Sequence, residues 1–137
     1  VSSRKRISSA LIGLVALVVL GWFGKDVLAG APSTEVPGAR ESGLQVERLS
    51  QLPPEAGKTY RLIEEGGPFP FPGKDGSVFG NREGELPEHE RGYYHEYTVP
   101  TPGSADRGAR RLVTGSREEV YYTGDHYESF VVVDTAG

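Results

Sequence analysis

The chain has 137 residues, 36% of them apolar and 25% charged, with 19 glycines, 10 prolines, no cysteine and a formal net charge of −4 at pH 7. That length holds one small domain and excludes a solenoid or a multidomain enzyme. Without cysteine no disulfide supplements a core of modest size, and the acidic balance excludes general attraction to nucleic acid, so any polyanion would need a local cationic patch.

Arg4, Lys5 and Arg6 precede the apolar run ISSALIGLVALVVLGWF (7–23), and small residues come next around VLAGA. This is the plan of a secretory signal peptide, with cleavage after Ala29 or Ala31. Uncleaved, residues 1–31 would instead form a membrane anchor, because the run lies at the short limit of spans of roughly 17–25 residues. Either way the basic N-terminal flank predicts export of the remainder of the chain, and a secreted protein if the signal is removed. Removing Arg4, Lys5, Arg6, Lys25 and Asp26 leaves 11 basic and 18 acidic residues, a net −7. Residues 32–45, within GAPSTEVPGARESGLQ, are poor in aromatics and rich in Pro, Gly and Ser, and read as a flexible linker ahead of a domain at 46–137.

In LPPEAGKTYRLIEEGG (52–67), Pro54 and Glu55 suit a first helical turn and Gly66 and Gly67 a stop, predicting a helix over about 54–65 that Gly57 weakens. Residues 68–91 are loop chemistry, with a Lys74-Asp75-Gly76 turn and the triplet Asn81-Arg82-Glu83 between two glycines. So long a loop in a small domain tends to be functional. Strand patterns then occur at 93–99, 109–115, 118–124 and 129–134. The order predicts an α+β fold, one N-terminal α-helix packed on a small antiparallel β-sheet.

Strand periodicity sets Glu96 on a face with Tyr94 and Thr98, and His95 on the other with Tyr93, Tyr97 and Val99. Arg111 shares a face with Val113, and Arg110 lies opposite with Leu112 and Thr114. If pairing brings Arg111 to the Glu96 side, the two could form an ordinary cross-strand ion pair. The grouping of Arg107, Arg110 and Arg111 in an acidic chain also suits a phosphate, which guanidinium binds through forked hydrogen bonds. His126 falls in the turn TGDHY (123–127), and His89, in LPEHERG, reads as solvated surface.

YYHEYTV (93–99), TPG (101–103), RGARRLVTG (107–115) and YYTGDHY (121–127), preceded in order by LPPEA (52–56), GPFPF (67–71) and VFGNRE (78–83), resemble blocks of the secreted bacterial guanyl-preferring ribonucleases. This is the barnase group, most closely those of the ribonuclease Sa type. The resemblance covers about 46–134 and implies the microbial ribonuclease fold. It implies Glu96 as general base, His126 as general acid, Arg107 and Arg111 as a phosphate clamp and Tyr127 as a further phosphate contact. Asn81, Arg82 and Glu83 would form a guanine site that Phe79 helps to wall. Two departures are the missing cysteines that link the domain ends in that type, and Gly80, which stands where a larger polar residue is expected.

The chemistry fits these residue types. RNA supplies its own nucleophile, the ribose 2′-OH, so cleavage needs a base, an acid and cations, with no metal and no other cofactor. The implied substrate is single-stranded RNA cut after guanosine through a 2′,3′-cyclic phosphate. The implied partner is a barstar-like protein inhibitor, and the enzyme a monomer. The rival reading is a non-catalytic exported or membrane-tethered polymer-binding module using Tyr93, Tyr94, Tyr121 and Tyr122, although core filling is the more ordinary use of most of these tyrosines.

Overall fold

The computed structural model describes residues 35–137, so the signal or anchor expected over 1–31, and residues 32–34 of the expected linker, lie outside the described residues. Among the described residues no helix is long and apolar enough to cross a membrane. The elements in chain order are α1 (Ala39–Ser42), β1 (Val46–Arg48), a 3-10 turn (Leu49–Gln51), α2 (Pro54–Glu65), β2 (Ser77–Phe79), β3 (Tyr94–Thr98), β4 (Arg111–Gly115), β5 (Val120–Thr123) and β6 (Val131–Asp134).

α2 matches the expected span. Pro54 starts it, where a missing N–H costs nothing, and Glu55 meets the positive end of the helix dipole. Gly66 ends it in the left-handed region (φ 82°), and the Gly67 N–H donates to Leu62 O at 2.9 Å. The buried face carries Ala56 and Thr59, and Thr59 Oγ1 donates to Thr98 O at 3.0 Å, tying helix to β3. A methyl at Gly57 would meet nothing within 4 Å. Gly57→Ala is therefore expected to stabilise the fold by about 0.5–1 kcal/mol, read as a higher denaturation midpoint at unchanged m-value.

The sheet runs β1-β6-β5-β4-β3-β2. Strands β3 to β6 are the expected antiparallel meander, and the two outer strands are additions. β2 lies inside the segment expected to be loop and pairs Ser77 with Glu96 and Phe79 with Tyr94. β1 joins β6 in parallel, Val132 opposite Val46, so the sheet is mixed rather than wholly antiparallel. This pairing covers a strand edge that would otherwise present unpaired N–H and C=O groups.

Both faces of the sheet are buried. On the α2 side, Ala56, Val99, Leu112, Val120 and Val133 pack with Leu49, Leu52, Tyr60 and Ile63. On the other, Leu86, Tyr94, Val113, Tyr121, Phe130 and Val132 pack with Val36, Ala39 and Leu44. Tyr94 and Tyr121 are thus core residues, not a polymer-binding surface.

The expected flexible linker is corrected from Val36 onward: the packed unit is Val36–Gly137. Three apolar side chains anchor this Pro- and Gly-rich stretch to the second face. Gly38 (φ 86°) permits the close approach, since a Cβ there would stand 2.6 Å from Tyr121 Oη.

Candidate active site

β3 carries Glu96 through the interior of the sheet, between Ser77 of β2 and Val113 of β4. Pairing on both sides fixes the backbone from which the carboxylate rises. Thr98 stands opposite Arg111, so Arg111 emerges on the Glu96 face, a point that strand parity alone leaves open. Arg107 arrives from the β3–β4 connection, its Nε donating to Thr98 Oγ1 at 3.0 Å and its Nη2 to Glu96 Oε1 at 3.5 Å. Arg111 Nε lies 3.7 Å from the same oxygen and donates to Tyr127 Oη at 3.1 Å, while Nη1 donates to Arg110 O at 2.8 Å. Tyr127 Oη in turn donates to Glu96 Oε1.

One carboxylate oxygen therefore gathers a phenol and two guanidinium groups. The Arg111 side chain is 3% exposed and that of Glu96 18%, so these are not the solvated surface pairs that contribute little. Two cations against one carboxylate leave a net positive pocket in an acidic chain, as binding an anion requires. Arg110 does not join them; its charge acts on Tyr122, which packs on the α2 side. Asp75 supports the arrangement from below. Its Oδ1 accepts the Thr98 N–H at 2.7 Å and its Oδ2 the Phe71 N–H at 3.0 Å, a role that a turn signal alone did not reveal.

The turn after β5 is built by side-chain bonds. Thr123 Oγ1 donates to Asp125 Oδ1 at 2.8 Å and accepts the Tyr127 N–H at 3.0 Å. Asp125 also accepts the Ser129 hydroxyl at 2.5 Å and the Ser129 N–H at 2.9 Å. The Ser129 hydroxyl is the chief cause holding the Asp125 carboxyl below the ordinary range. His126 N–H donates to Ala109 O at 2.9 Å, which ties the turn to the segment bearing Arg107 and Arg111. Inside this frame His126 and Tyr127 both take left-handed backbone (φ 58° and 78°). Such conformations cluster at functional sites, where the surroundings over-determine them. The Tyr127 hydroxyl is pushed up to about 12, by burial first and then by its bond to Glu96, so it remains a donor throughout the neutral range.

A cavity of about 310 Å³ opens over Glu96 and is lined by Phe79, Asn81, Arg82, Glu83 and Tyr127 among others. Phe79 forms a wall, its ring 5.0 Å from Tyr127 and 5.9 Å from Phe130. Arg82 and Glu83 are exposed at the rim. Asn81, also left-handed (φ 54°), spends its side chain on the loop. Nδ2 donates to Leu86 O at 2.9 Å, and Oδ1 accepts the Leu86 N–H at 3.1 Å. Asn81 thus shapes the cavity and leaves only its backbone to face a ligand. Arg91, which no sequence motif singled out, also lines the cavity; its Nη1 lies 3.6 Å from where a Gly80 Cβ would be.

His126 is exposed and lines an adjoining cavity of about 470 Å³ with Glu85 and Glu128. The two cavities share Glu83 and Tyr127, with Glu96 lining the first and His126 the second. Glu85 and Glu128 were also missed, each being one more acidic residue in an acidic loop. His89 is not the solvated residue expected. Its ring stacks on Tyr93 at 3.7 Å and 9°.

A family model described as ribonuclease matches residues 35–134. Guanyl-specific ribonuclease St of Saccharopolyspora erythraea is 60% identical over 96 residues, covering 70% of this chain and 94% of its own length. Guanyl-specific ribonuclease Sa of Kitasatospora aureofaciens is 58% identical over 87 residues, covering 63% of this chain and 90% of its own. Among solved structures, ribonuclease Sa2 with guanosine-2′-cyclophosphate superposes with a TM-score of 0.65 at 47% identity, covering 69% of this chain and 99% of that one.

Proposed function

The chain belongs to the ribonuclease family, and from that premise we propose that it cleaves single-stranded RNA after guanosine, through a 2′,3′-cyclic phosphate, with Glu96 as base and His126 as acid. The observation that carries this reading is a single carboxylate oxygen flanked by Tyr127, Arg107 and Arg111 in a nucleotide-sized cavity, with an exposed imidazole in the adjoining one. Similarity to guanyl-specific ribonucleases supports the substrate class.

In the first step Glu96 takes the proton of the ribose 2′-OH, O2′ bonds to phosphorus, and the P–O5′ bond breaks as His126 gives its proton to O5′. In the second, His126 takes a proton from water, the water oxygen bonds to phosphorus, and the P–O2′ bond breaks with the proton returned by Glu96. Arg107 and Arg111 stabilise the charge gathered on the non-bridging oxygens. A guanine in the Phe79 cavity offers N1–H and N2–H donors, and the Glu83 carboxylate at the rim can accept both. Adenine would leave that carboxylate unpaired.

The same reading includes export by residues 1–31, secretion, and a barstar-like protein inhibitor as partner. The deciding experiment is cleavage of a defined single-stranded RNA in chelator, with product ends read by mass spectrometry. Fragments ending in guanosine cyclic phosphate are expected, and cuts without base preference would reject the guanine assignment. Glu83→Gln is expected to lower kcat/KM for GpN by about 5- to 150-fold, the equivalent of roughly 1–3 kcal/mol, and to spare the slow cleavage of ApN. Equal losses on both substrates would reduce the triplet to a turn.

A further inference from the structure

On the second face of the sheet, outside both cavities, three segments distant in sequence bring ionisable side chains together. Glu41 comes from α1, His89 from the loop between β2 and β3, and Glu119 from the residue before β5. One ligand atom of each lies within 4.8 Å of the others. We propose that Glu41, His89 and Glu119 bind a single divalent transition-metal ion, zinc by preference, which clamps the N-terminal segment and the 80–93 loop to the sheet.

Several observations beyond the clustering point to an ion. His89 Nε2 lies 3.0 Å from Glu41 Oε2, the separation of an ion pair, but without the geometry of a hydrogen bond. That is the spacing of two donors on one tetrahedral ion, whose ligands at about 2.0–2.1 Å from the metal stand roughly 3.3 Å apart. The His89 ring is immobilised before any ion arrives, flat against Tyr93 and edge-on to Tyr94 at 5.9 Å and 72°. Glu119 is buried, and both its oxygens are oriented: Oε2 accepts the Tyr93 hydroxyl and Oε1 accepts the Arg117 N–H at 2.8 Å. Such outer bonds aim a carboxylate and leave each oxygen a free lone pair.

Tyr121 gives the independent sign of a ligand. It is 0% exposed, and among the described residues its hydroxyl has no hydrogen-bond partner. That hydroxyl and Glu119 Cγ both border the same point beside Gly38, 2.6 and 3.1 Å from where a Cβ would be. A water carried in the fourth position of the ion would be the hydroxyl's partner. Two carboxylates and a neutral imidazole match a divalent cation in charge. Three ligands including a nitrogen suit zinc better than calcium or magnesium, which seek more oxygens.

The site shares no residue with the cleavage reading and would survive its failure. The test uses the untagged full chain, stripped with chelator and titrated calorimetrically with zinc chloride, with thermal unfolding and cobalt(II) absorption as second readouts. One equivalent is expected to bind. At free zinc ~100-fold above Kd, Tm should rise on the order of 10 °C, and cobalt(II) should show four-coordinate visible bands. E41Q and H89Q should each weaken binding at least tenfold and abolish most of the Tm rise. Absence of saturable binding would overturn the proposal. So would binding that persists unchanged in both variants, which would put the zinc elsewhere, at His126 for instance. Glu41 is exposed, so E41Q decides alone if H89Q fails to fold.

Discussion

Glu96→Gln should lower kcat/KM for a GpN dinucleotide by ~10²–10⁴-fold, the contribution a positioned general base makes, while the protein unfolds near its original temperature. Glutamine is the informative replacement because of Arg111, whose side chain is nearly inaccessible. Its amide oxygen can still accept from Tyr127 and from the two arginines that now meet Glu96. Alanine would leave the buried Arg111 guanidinium without its opposite charge and confound catalysis with stability. His126→Ala, in an exposed turn, should cause a comparable loss. Because base and acid act in one step, the double variant should be little worse than either single one. The bell-shaped pH profile should lose its acidic limb in the first variant and its alkaline limb in the second. Full activity in both would reject the assigned roles.

Leu112→Ala should cost about 2–5 kcal/mol of folding free energy, measured by denaturant titration. Leu112 is 0% exposed on the α2 side of β4, packed with Ala56, Val99, Val120 and Val133. Its neighbour Val113 lies on the opposite face, opposite Glu96 in the register. Against a total of roughly 5–15 kcal/mol for a domain of this kind, the loss is a large fraction. Activity per folded molecule should nevertheless stay close to the original, since the truncated side chain points away from the cavities. A loss under about 1 kcal/mol would mean that the α2 face is loosely packed.

The contrast between these variants mirrors what the sequence could and could not disclose. Alternation in YYHEYTV and ARRLVTG was enough to say which side chains share a face within each strand, but it took the pairing of Thr98 with Arg111 to bring Glu96 and Arg111 to the same face. α2 was legible because Pro54 and Gly66 mark its two ends. The three-residue strands β1 and β2 are too short to show a period, and they exist only through their partners, Val132 to Asp134 and Tyr94 to Glu96. Average composition hid the anchoring of Val36, Ala39 and Leu44. A Pro- and Gly-rich stretch can still dock when a few apolar residues meet a prepared surface. The character of His89 depends on Glu41 and Tyr93, one of them remote in sequence. Asn81 lines the cavity, but only the folded loop shows its amide consumed by Leu86.

The backbone at His126 and Tyr127 bears on any attempt to improve the protein. Each non-glycine residue held at positive φ sacrifices on the order of 1–3 kcal/mol, and both sit where the proposed chemistry is carried out. Laboratory evolution that rewarded heat resistance alone would find glycine attractive at both positions, and would discard an imidazole and a phenol in accepting it. Survivors of such a selection would be sturdier and inert, so endurance and turnover must be screened together in every round.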